Sequence, residues 1–384
     1  MRKADSSHTH PPFPTPIPRV TIRPSSGTHF LNLSPRHLSL RLREVSLVAA
    51  LTIVSGCASG YHVVSPPAPF SNPSLGVAWL TPREPGDSVA LSRWRAAVGQ
   101  PVIAASSERP SSVTTDELTI VSWNIALGAG DVEALFRRLQ ADHPNRAIVL
   151  LLQEAFRGDD DVPGAPPKIG SAGASAPRLA FARRIRGVME REVDDLARSL
   201  DLSLYYVPSM RNGAPGASNE DRGNAILSTL PLDHLVAIEL PFEKQRRVAL
   251  AANVRGTTSA GKPWTLRVAS AHLDNSSGAK KVWIGSEFGR TRQARGLRDA
   301  LAGSEPLVLG GDFNTWFGFN DAAYRETARA FPDTRVTDGR RTFLGLMRLD
   351  HLFYRLPDGW RAQFRRAESA FGSDHHPLIA TIAF

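Results

Sequence analysis

From about residue 117 to the C-terminus, short apolar runs alternate with polar clusters. Leu118-Thr119-Ile120-Val121-Ser122-Trp123 is apolar and β-branched, which predicts a strand that delivers Asn124 at its end. Val132, Leu135, Phe136 and Leu139 recur at helical spacing, so Asp131 to Ala141 is expected to be an amphipathic helix. Ala147 to Leu152 is unbroken apolar sequence, as in a strand covered on both faces, and it runs into Gln153-Glu154. A long helix is expected over Arg178 to Leu200, with Ile185, Met189, Val193, Leu196 and Leu200 inward. Further strands are expected to begin at Gly223 and to cover Val248 to Val254 and Thr265 to Ala271, the last ending at His272. Arg290 to Ala302 reads as a helix. Strands are then expected at Leu307 to Leu309 and Leu349 to Tyr354, with Pro377 to Phe384 closing the sheet. Many short strands, few helices and polar groups at strand ends predict two packed sheets flanked by helices, with one site where the strand ends converge.

The chain ahead of residue 117 has a different texture. Pro11 to Pro35 is rich in Pro, Ser and Thr without a period, and is expected to be disordered or upstream of the true start. Arg36, Arg41 and Arg43 precede the apolar run Val45 to Val54, which has the length of a signal-peptide core and is too short to span a bilayer. Val54-Ser55-Gly56-Cys57 follows. Small residues before a single cysteine resemble a bacterial lipobox, which implies cleavage before Cys57 and acylation of that residue. Cys57 is the only cysteine, so no intramolecular disulfide can form. Residues 1–56 are therefore assigned to a disordered leader plus lipoprotein signal peptide. Residues 57–116 are assigned to a Pro- and Ser-rich tether, and 117–384 to one catalytic domain. Ser92-Arg93-Trp94-Arg95 is the one place in the tether where a short helix is expected to pack back on that domain. The address this implies is the cell envelope, with a lipid anchor in the outer membrane facing the periplasm.

Charge changes the picture only slightly. The whole chain carries +9, but residues 1–56 hold seven basic and two acidic side chains, so the remainder falls to +4. That mild excess suits any anionic substrate and is weak grounds for nucleic-acid affinity by itself.

The candidate chemistry lies at the strand ends. Gly310-Gly311-Asp312-Phe313-Asn314 follows one apolar run, and Ser373-Asp374-His375-His376-Pro377 follows a turn near the C-terminus. A histidine beside an aspartate, with a second Asp-x-Asn, can activate water next to a divalent metal. Glu154, stranded past an apolar strand, needs a partner or a cation. Hard oxygen donors without cysteine favour magnesium over a zinc cage.

The ordered set Trp123-Asn124, Gln153-Glu154, Gly223 to Ser228, Ala271-His272-Leu273, Gly311 to Asn314, Leu349-Asp350-His351 and Ser373 to Pro377 resembles the endonuclease/exonuclease/phosphatase superfamily. The resemblance covers about residues 117–384. It implies the DNase I-like fold, a four-layer α/β sandwich of two mixed or antiparallel sheets between helices, and metal-dependent hydrolysis of phosphate esters. Position by position, it makes Glu154 the principal metal ligand, with Asn124 beside it and Asp374 completing the metal region. Asp312 would orient or deprotonate the attacking water, and Asn314 would bond a phosphate oxygen or the metal shell. His375 would face the scissile phosphate with its ring held by Asp350. His272 would donate to phosphate or to the leaving oxygen, and Asn224 would line the phosphate pocket. His351 and His376 are expected at the rim or in structural roles. Ala126 stands where some DNA-repair members carry a metal-holding acid, and His272 points to the branch containing DNase I and the sphingomyelinases.

The implied cofactor is Mg2+, with Mn2+ or Ca2+ as alternatives, and a monomer is expected. The expected activity is endonuclease-like phosphodiester hydrolysis. Phospholipid or sphingomyelinase-like hydrolysis is the first alternative, small phosphomonoesters the next, and a non-catalytic envelope binding protein the remote one. Substrate contacts are expected from three loops: Arg157 to Pro177, Asn212 to Arg222, and Asp274 to Gly289 with Lys280, Lys281 and Trp283.

Overall fold

The computed structural model describes residues 60–64, 76–107, 113–158, 160–163, 191–212, 219–275, 284–336 and 338–384. Two seven-stranded sheets are formed among them. Numbered along the chain, the strands of the first sheet are β1 (Tyr61–Val64), β2 (Ala78–Pro82), β8 (Asp233–Glu239), β9 (Val248–Thr257), β10 (Pro263–His272), β11 (Leu307–Asp312) and β12 (Asp350–Arg355), in that spatial order. The second sheet runs β13 (Arg361–Arg366), β14 (Leu378–Ala383), β4 (Glu117–Asn124), β5 (Ala147–Gly158), β7 (Glu220–Ser228), β6 (Ser203–Arg211) and β3 (Val102–Ala104). Both sheets are mixed: β2 with β8, β10 with β11, and β4 with β5 pair parallel, whereas the other neighbours are antiparallel.

Leu118, Ile120, Val149, Leu151 and Ile226 from one sheet meet Leu250, Ala252, Leu266, Val268 and Val308 from the other to form the central core. Alternate residues on the same strands face outward and are covered by helices. Val121, Ile148 and Leu150 pack under α2 (Val132–Asp142) and α3 (Val193–Ser199). Ala249, Ala251, Ala269 and Leu309 pack under α4 (Ile284–Ala300) and α5 (Ala322–Ala328). This is the expected four-layer α/β sandwich. Asp131 caps α2 by accepting from Ala134 N at 2.9 Å, which fixes the start of that helix where its apolar spacing begins.

Three expectations are corrected. The tether assigned to 57–116 is, where described, part of the sandwich. It supplies β1, β2, β3 and α1 (Pro85–Arg95), and it buries Trp79, Leu91 and Trp94. Its prolines punctuate elements: Pro82 ends β2, and Pro85 sits in the first turn of α1, where a missing N–H costs nothing. Buried Arg95 locks α1 down through its Nε, which donates to Glu239 Oε1 at 2.8 Å. Second, the helix expected over Arg178 to Leu200 does not run through Arg191 and Glu192, which are non-helical, so its described part is the seven residues of α3; residues 164–190 lie outside the described residues. Third, the C-terminal strand is internal. β14 lies between β13 and β4, and the sheet edge is β13, whose side chains alternate between exposed and half-buried. In addition, α4 begins six residues ahead of the expected Arg290. Residues 1–59, including Cys57, lie outside the described residues. No helix among the described residues is long and apolar enough to cross a membrane.

Candidate active site

The strand ends that carry the sequence motifs meet along the seam between the sheets. Asp312 ends β11 and pairs across to Asp350, the first residue of β12, and to His272, the last residue of β10. Opposite them, Asn124 ends β4 and pairs with Gln153 of β5, so Glu154 lies one step further on. Gly310 and Gly311 permit this closeness. A Cβ on Gly310 would lie 2.6 Å from Ser122 Cβ of the other sheet, and one on Gly311 would lie 2.1 Å from Ala271 O.

Asp312 is the hub. Its Oδ2 accepts from Asn124 Nδ2 at 2.9 Å, and its Oδ1 accepts from the backbone N of Asn314 at 2.9 Å. His272 Nε2 lies 3.5 Å from Oδ2, and His375 Nε2 lies 3.8 Å from the same oxygen. The two imidazoles therefore bracket one carboxylate. His375 Nδ1 is 2.8 Å from Asp350 Oδ2, an expected pairing that the geometry contains. Asp312, Asp350 and His375 are all buried, with donor atoms within 4.8 Å of one another.

The electrostatics separate the two histidines. Burial alone would depress His375, but the Asp350 charge and hydrogen bond, aided by Asp312 and Asp374, outweigh it and raise the ring from 6.5 to about 10. At neutral pH it is an imidazolium. His272 goes the other way: burial, then the positive Arg247, Arg222 and His375, hold it well below its ordinary value, so it is neutral. Burial and the adjacent Asp350 push the Asp312 carboxyl up, against the pull of His375 and the Asn314 and Asn124 donors. An acid with a raised pKa is a better proton acceptor than an ordinary carboxylate.

Glu154 occupies a β-bulge. Gln153 pairs with Asn224 and Ala155 with Gly223, leaving Glu154 as the extra residue, with φ at +54°. A left-handed non-glycine at a bulge is costly, and it re-aims the side chain out of the ladder. The Glu154 carboxylate is half-buried and makes no hydrogen bond or ion pair among the described residues. Asn314 also has positive φ, +49°, which asparagine tolerates, and its Nδ2 donates to Leu273 O at 2.9 Å.

Other expected residues are placed differently from one another. Asn224 is 2% exposed and donates Nδ2 to Val248 O of the facing sheet at 2.7 Å, so one of its donors is spent on the backbone. Asp374 is half-buried beside Ser373, and its carbonyl accepts from Leu344 N at 2.9 Å. His351 is buried, with Nε2 2.6 Å from Thr315 Oγ1 among the rings of Phe313, Phe319, Tyr324 and Phe353. His376 Nδ1 is 3.1 Å from Ala367 O. Both have structural settings. Of the three substrate loops, residues 164–177, 213–218 and 276–283, with Lys280, Lys281 and Trp283, lie outside the described residues.

Several positioning groups are given no role by the sequence motifs. Ser373 Oγ donates to Asn124 O at 2.7 Å and accepts from His375 N at 3.0 Å, tying the turn ahead of β14 to the end of β4. Trp123 Nε1 donates to His375 O at 2.8 Å. Thr342 Oγ1 accepts from Asp350 N at 3.2 Å, and the Phe343 ring lies 4.8 Å from that of His375. Ser373 is within two residues of His375 and lies inside the motif, where turn chemistry could have flagged it. Thr342 and Phe343 approach only through tertiary structure.

Residues 121–375 match the Endonuclease/Exonuclease/phosphatase family. A UPF0294 protein of Vibrio parahaemolyticus is 33% identical over 81 residues, 20% of this chain and only 28% of that relative's length. An endonuclease/exonuclease/phosphatase from Beutenbergia cavernae superposes with a TM-score of 0.47 at 18% identity, covering 70% of this chain and 72% of that one. Sphingomyelinase C from Streptomyces griseocarneus superposes with a TM-score of 0.40 at 16% identity, covering 70% of this chain and 99% of that one. With the family match spanning the strand ends from β4 to His375, the chain belongs to the endonuclease/exonuclease/phosphatase family of phosphoester hydrolases.

Proposed function

We propose that this protein is a divalent-metal-dependent phosphodiesterase that cleaves its substrate by direct attack of water. The observation that supports it best is the convergence on Asp312 of an asparagine and two differently charged imidazoles. The donor set also fits a hard cation. Among the described residues, Glu154 offers a carboxylate with no hydrogen bond or ion pair, and the buried Asp350 Oδ1 lacks a hydrogen-bond partner. Among the expected ligands, Glu154, Asn124 and Asp374 would hold the ion, Mg2+ by the oxygen-rich donor set. A bound divalent ion would supply positive charge to the phosphoryl oxygens. Asp312 takes the proton of the attacking water, held in its ionised-acceptor geometry by Asn124 and Asn314. His375, as the imidazolium, directs Nε2–H at the developing phosphorane charge. Neutral His272 keeps its proton and donates a hydrogen bond from Nε2–H to a phosphate or leaving oxygen, while the departing oxygen takes its proton from solvent water.

The leading substrate reading is a nucleic-acid backbone cut internally. A phospholipid headgroup is the second reading, and it is favoured by exposed apolar side chains on the two loops that leave the site. The test is EDTA-sensitive turnover of plasmid DNA, RNA, sphingomyelin, phosphatidylinositol phosphates and a chromogenic diester. Hydrolysis of the diester that EDTA stops and Mg2+ restores is expected. A folded protein inert toward all five with Mg2+, Mn2+ and Ca2+ would overturn the enzymatic reading and leave an envelope binding protein.

The anchored location is likewise a proposal, motivated by Val54-Ser55-Gly56-Cys57 after a basic-then-apolar run. Two or more acyl chains give stable anchoring where one is marginal. Mass spectrometry of the membrane fraction is expected to find acylated Cys57 as the mature N-terminus. A soluble product that keeps residues 1–56 would refute it.

A further inference from the structure

Eight large apolar side chains are exposed among the described residues, and five of them sit on two loops. Trp316, Phe317 and Phe319 follow Asn314 directly, and Leu344 and Leu346 lie just ahead of Asp350. The most exposed of the five are Leu346 at 64% and Leu344 at 58%. The loops are joined to each other, since Thr315 Oγ1 donates to Arg348 O at 2.9 Å and the Arg348 guanidinium lies 4.7 Å over the Phe319 ring. They are also joined to the site. Phe343 packs on His375, and Leu344 N donates to Asp374 O.

The second loop is a tight turn that closes through Leu346 N to Phe343 O at 2.8 Å. Leu344 takes φ +46° and Gly345 φ +68° at its tip, and a Cβ added at Gly345 would meet nothing within 4 Å. Leu344, in left-handed backbone and 58% exposed, leaves most of its side chain uncovered by the described residues. Trp316, Phe317 and Phe319 have rings that can stack a base, but the two most exposed of the five side chains, Leu344 and Leu346, can neither stack one nor contact a phosphate. Leucine and tryptophan on protruding loops, with exposed Arg341 at the base of the turn, have the chemistry of an acyl boundary beneath anionic headgroups.

We propose that the 315–319 and 343–347 loops dock this protein on a lipid bilayer, seating the active site over a phosphate ester carried by a lipid headgroup. The substrate half of this rests on the phosphodiesterase reading; the docking half does not. The test uses the full chain with Cys57→Ser, so that no acyl chain contributes. Co-sedimentation with vesicles of phosphatidylcholine and phosphatidylglycerol is measured beside turnover of bis(p-nitrophenyl) phosphate. Binding is expected, and Trp316→Ser/Leu344→Ser/Leu346→Ser should weaken it about tenfold or more while leaving soluble-diester turnover unchanged. Leu346→Ser alone should give an intermediate loss. Absence of vesicle binding with normal diester turnover would overturn the docking and leave the phosphodiesterase intact. Equal binding by the parent and triple variant would overturn the assignment to these loops. Loop-dependent binding of single-stranded DNA in place of vesicles would do the same. Loop-dependent vesicle binding by a protein that turns over no diester would keep the docking and remove the phosphodiesterase reading beneath it.

Discussion

Glu154→Gln is expected to lower metal-dependent turnover by about 1,000-fold, equivalent to ~4 kcal/mol of transition-state stabilisation at 1.36 kcal/mol per tenfold. The carboxylate sits on a bulge with φ +54° and has no hydrogen bond or ion pair among the described residues. The chain thus bears a strained backbone to present an acid that no described residue neutralises. Gln keeps the size and the bulge and removes the charge. Folding should be unaffected, because no hydrogen bond or ion pair among the described residues is lost. Thermal denaturation and EDTA-sensitive kinetics on the same preparation would separate the two effects. Near-normal EDTA-sensitive turnover by the folded variant would remove Glu154 from the metal site.

Asp350→Asn and His375→Ala should each be severe, about 100-fold or more, and the double substitution should cost little more than His375→Ala alone. The 2.8 Å contact between Asp350 Oδ2 and His375 Nδ1 means that Asp350 acts through the ring. Asp350→Asn removes the charge that offsets burial, so the His375 pKa should fall from about 10 toward or below 6.5. NMR titration of the metal-free protein reads that shift directly. Linkage gives a sign as well. Because the folded pKa is raised, the stabilisation from this pair is fully present below pH 6.5 and is lost as pH rises through about 10. His272 does not contact Asp350, so His272→Ala with Asp350→Asn should be more nearly multiplicative. Full multiplicativity for Asp350 with His375 would make Asp350 a structural acid and break the pairing.

Much of this fold is legible because the strands at its centre are unmixed in composition. Ala147 to Leu152 and Leu118 to Trp123 are covered on both sides, so their apolar runs announce them. The candidate site residues are legible for the opposite reason, as polar groups interrupting such runs. Elements whose burial comes from partners far along the chain are much less visible. β6 is buried throughout, yet it carries Pro208, Ser209 and Arg211, which read locally as a loop. Its bulge at Ser209 and its contacts with β7 make those residues acceptable, and Ser209 Oγ accepts from Val248 N at 3.1 Å. β13 alternates Arg and Gln with Ala and Phe, a weak signal that fits an edge. The proline-rich segment from 76 to 104 hides its strands because each is only three to five residues long and pairs with β6 or β8, more than a hundred residues away. The hub role of Asp312 also needs three dimensions, since its neighbours come from positions 124, 272 and 375.

The candidate site is stitched across a boundary. Asn124 to Asp312, His375 to Asp350, Gln153 to Ser270 and Asn224 to Val248 each join one sheet to the other. Under the proposed mechanism neither sheet alone holds a working set of groups, since Glu154 lies on one and Asp312 on the other. Their alignment therefore depends on how firmly the two halves grip through the central core. A disturbance that lets one slide on the other, even in a leucine far from any phosphate, would separate Asp312 from His375 while every strand stayed hydrogen-bonded. Reaction rate in such a molecule is a gauge of the grip between its halves.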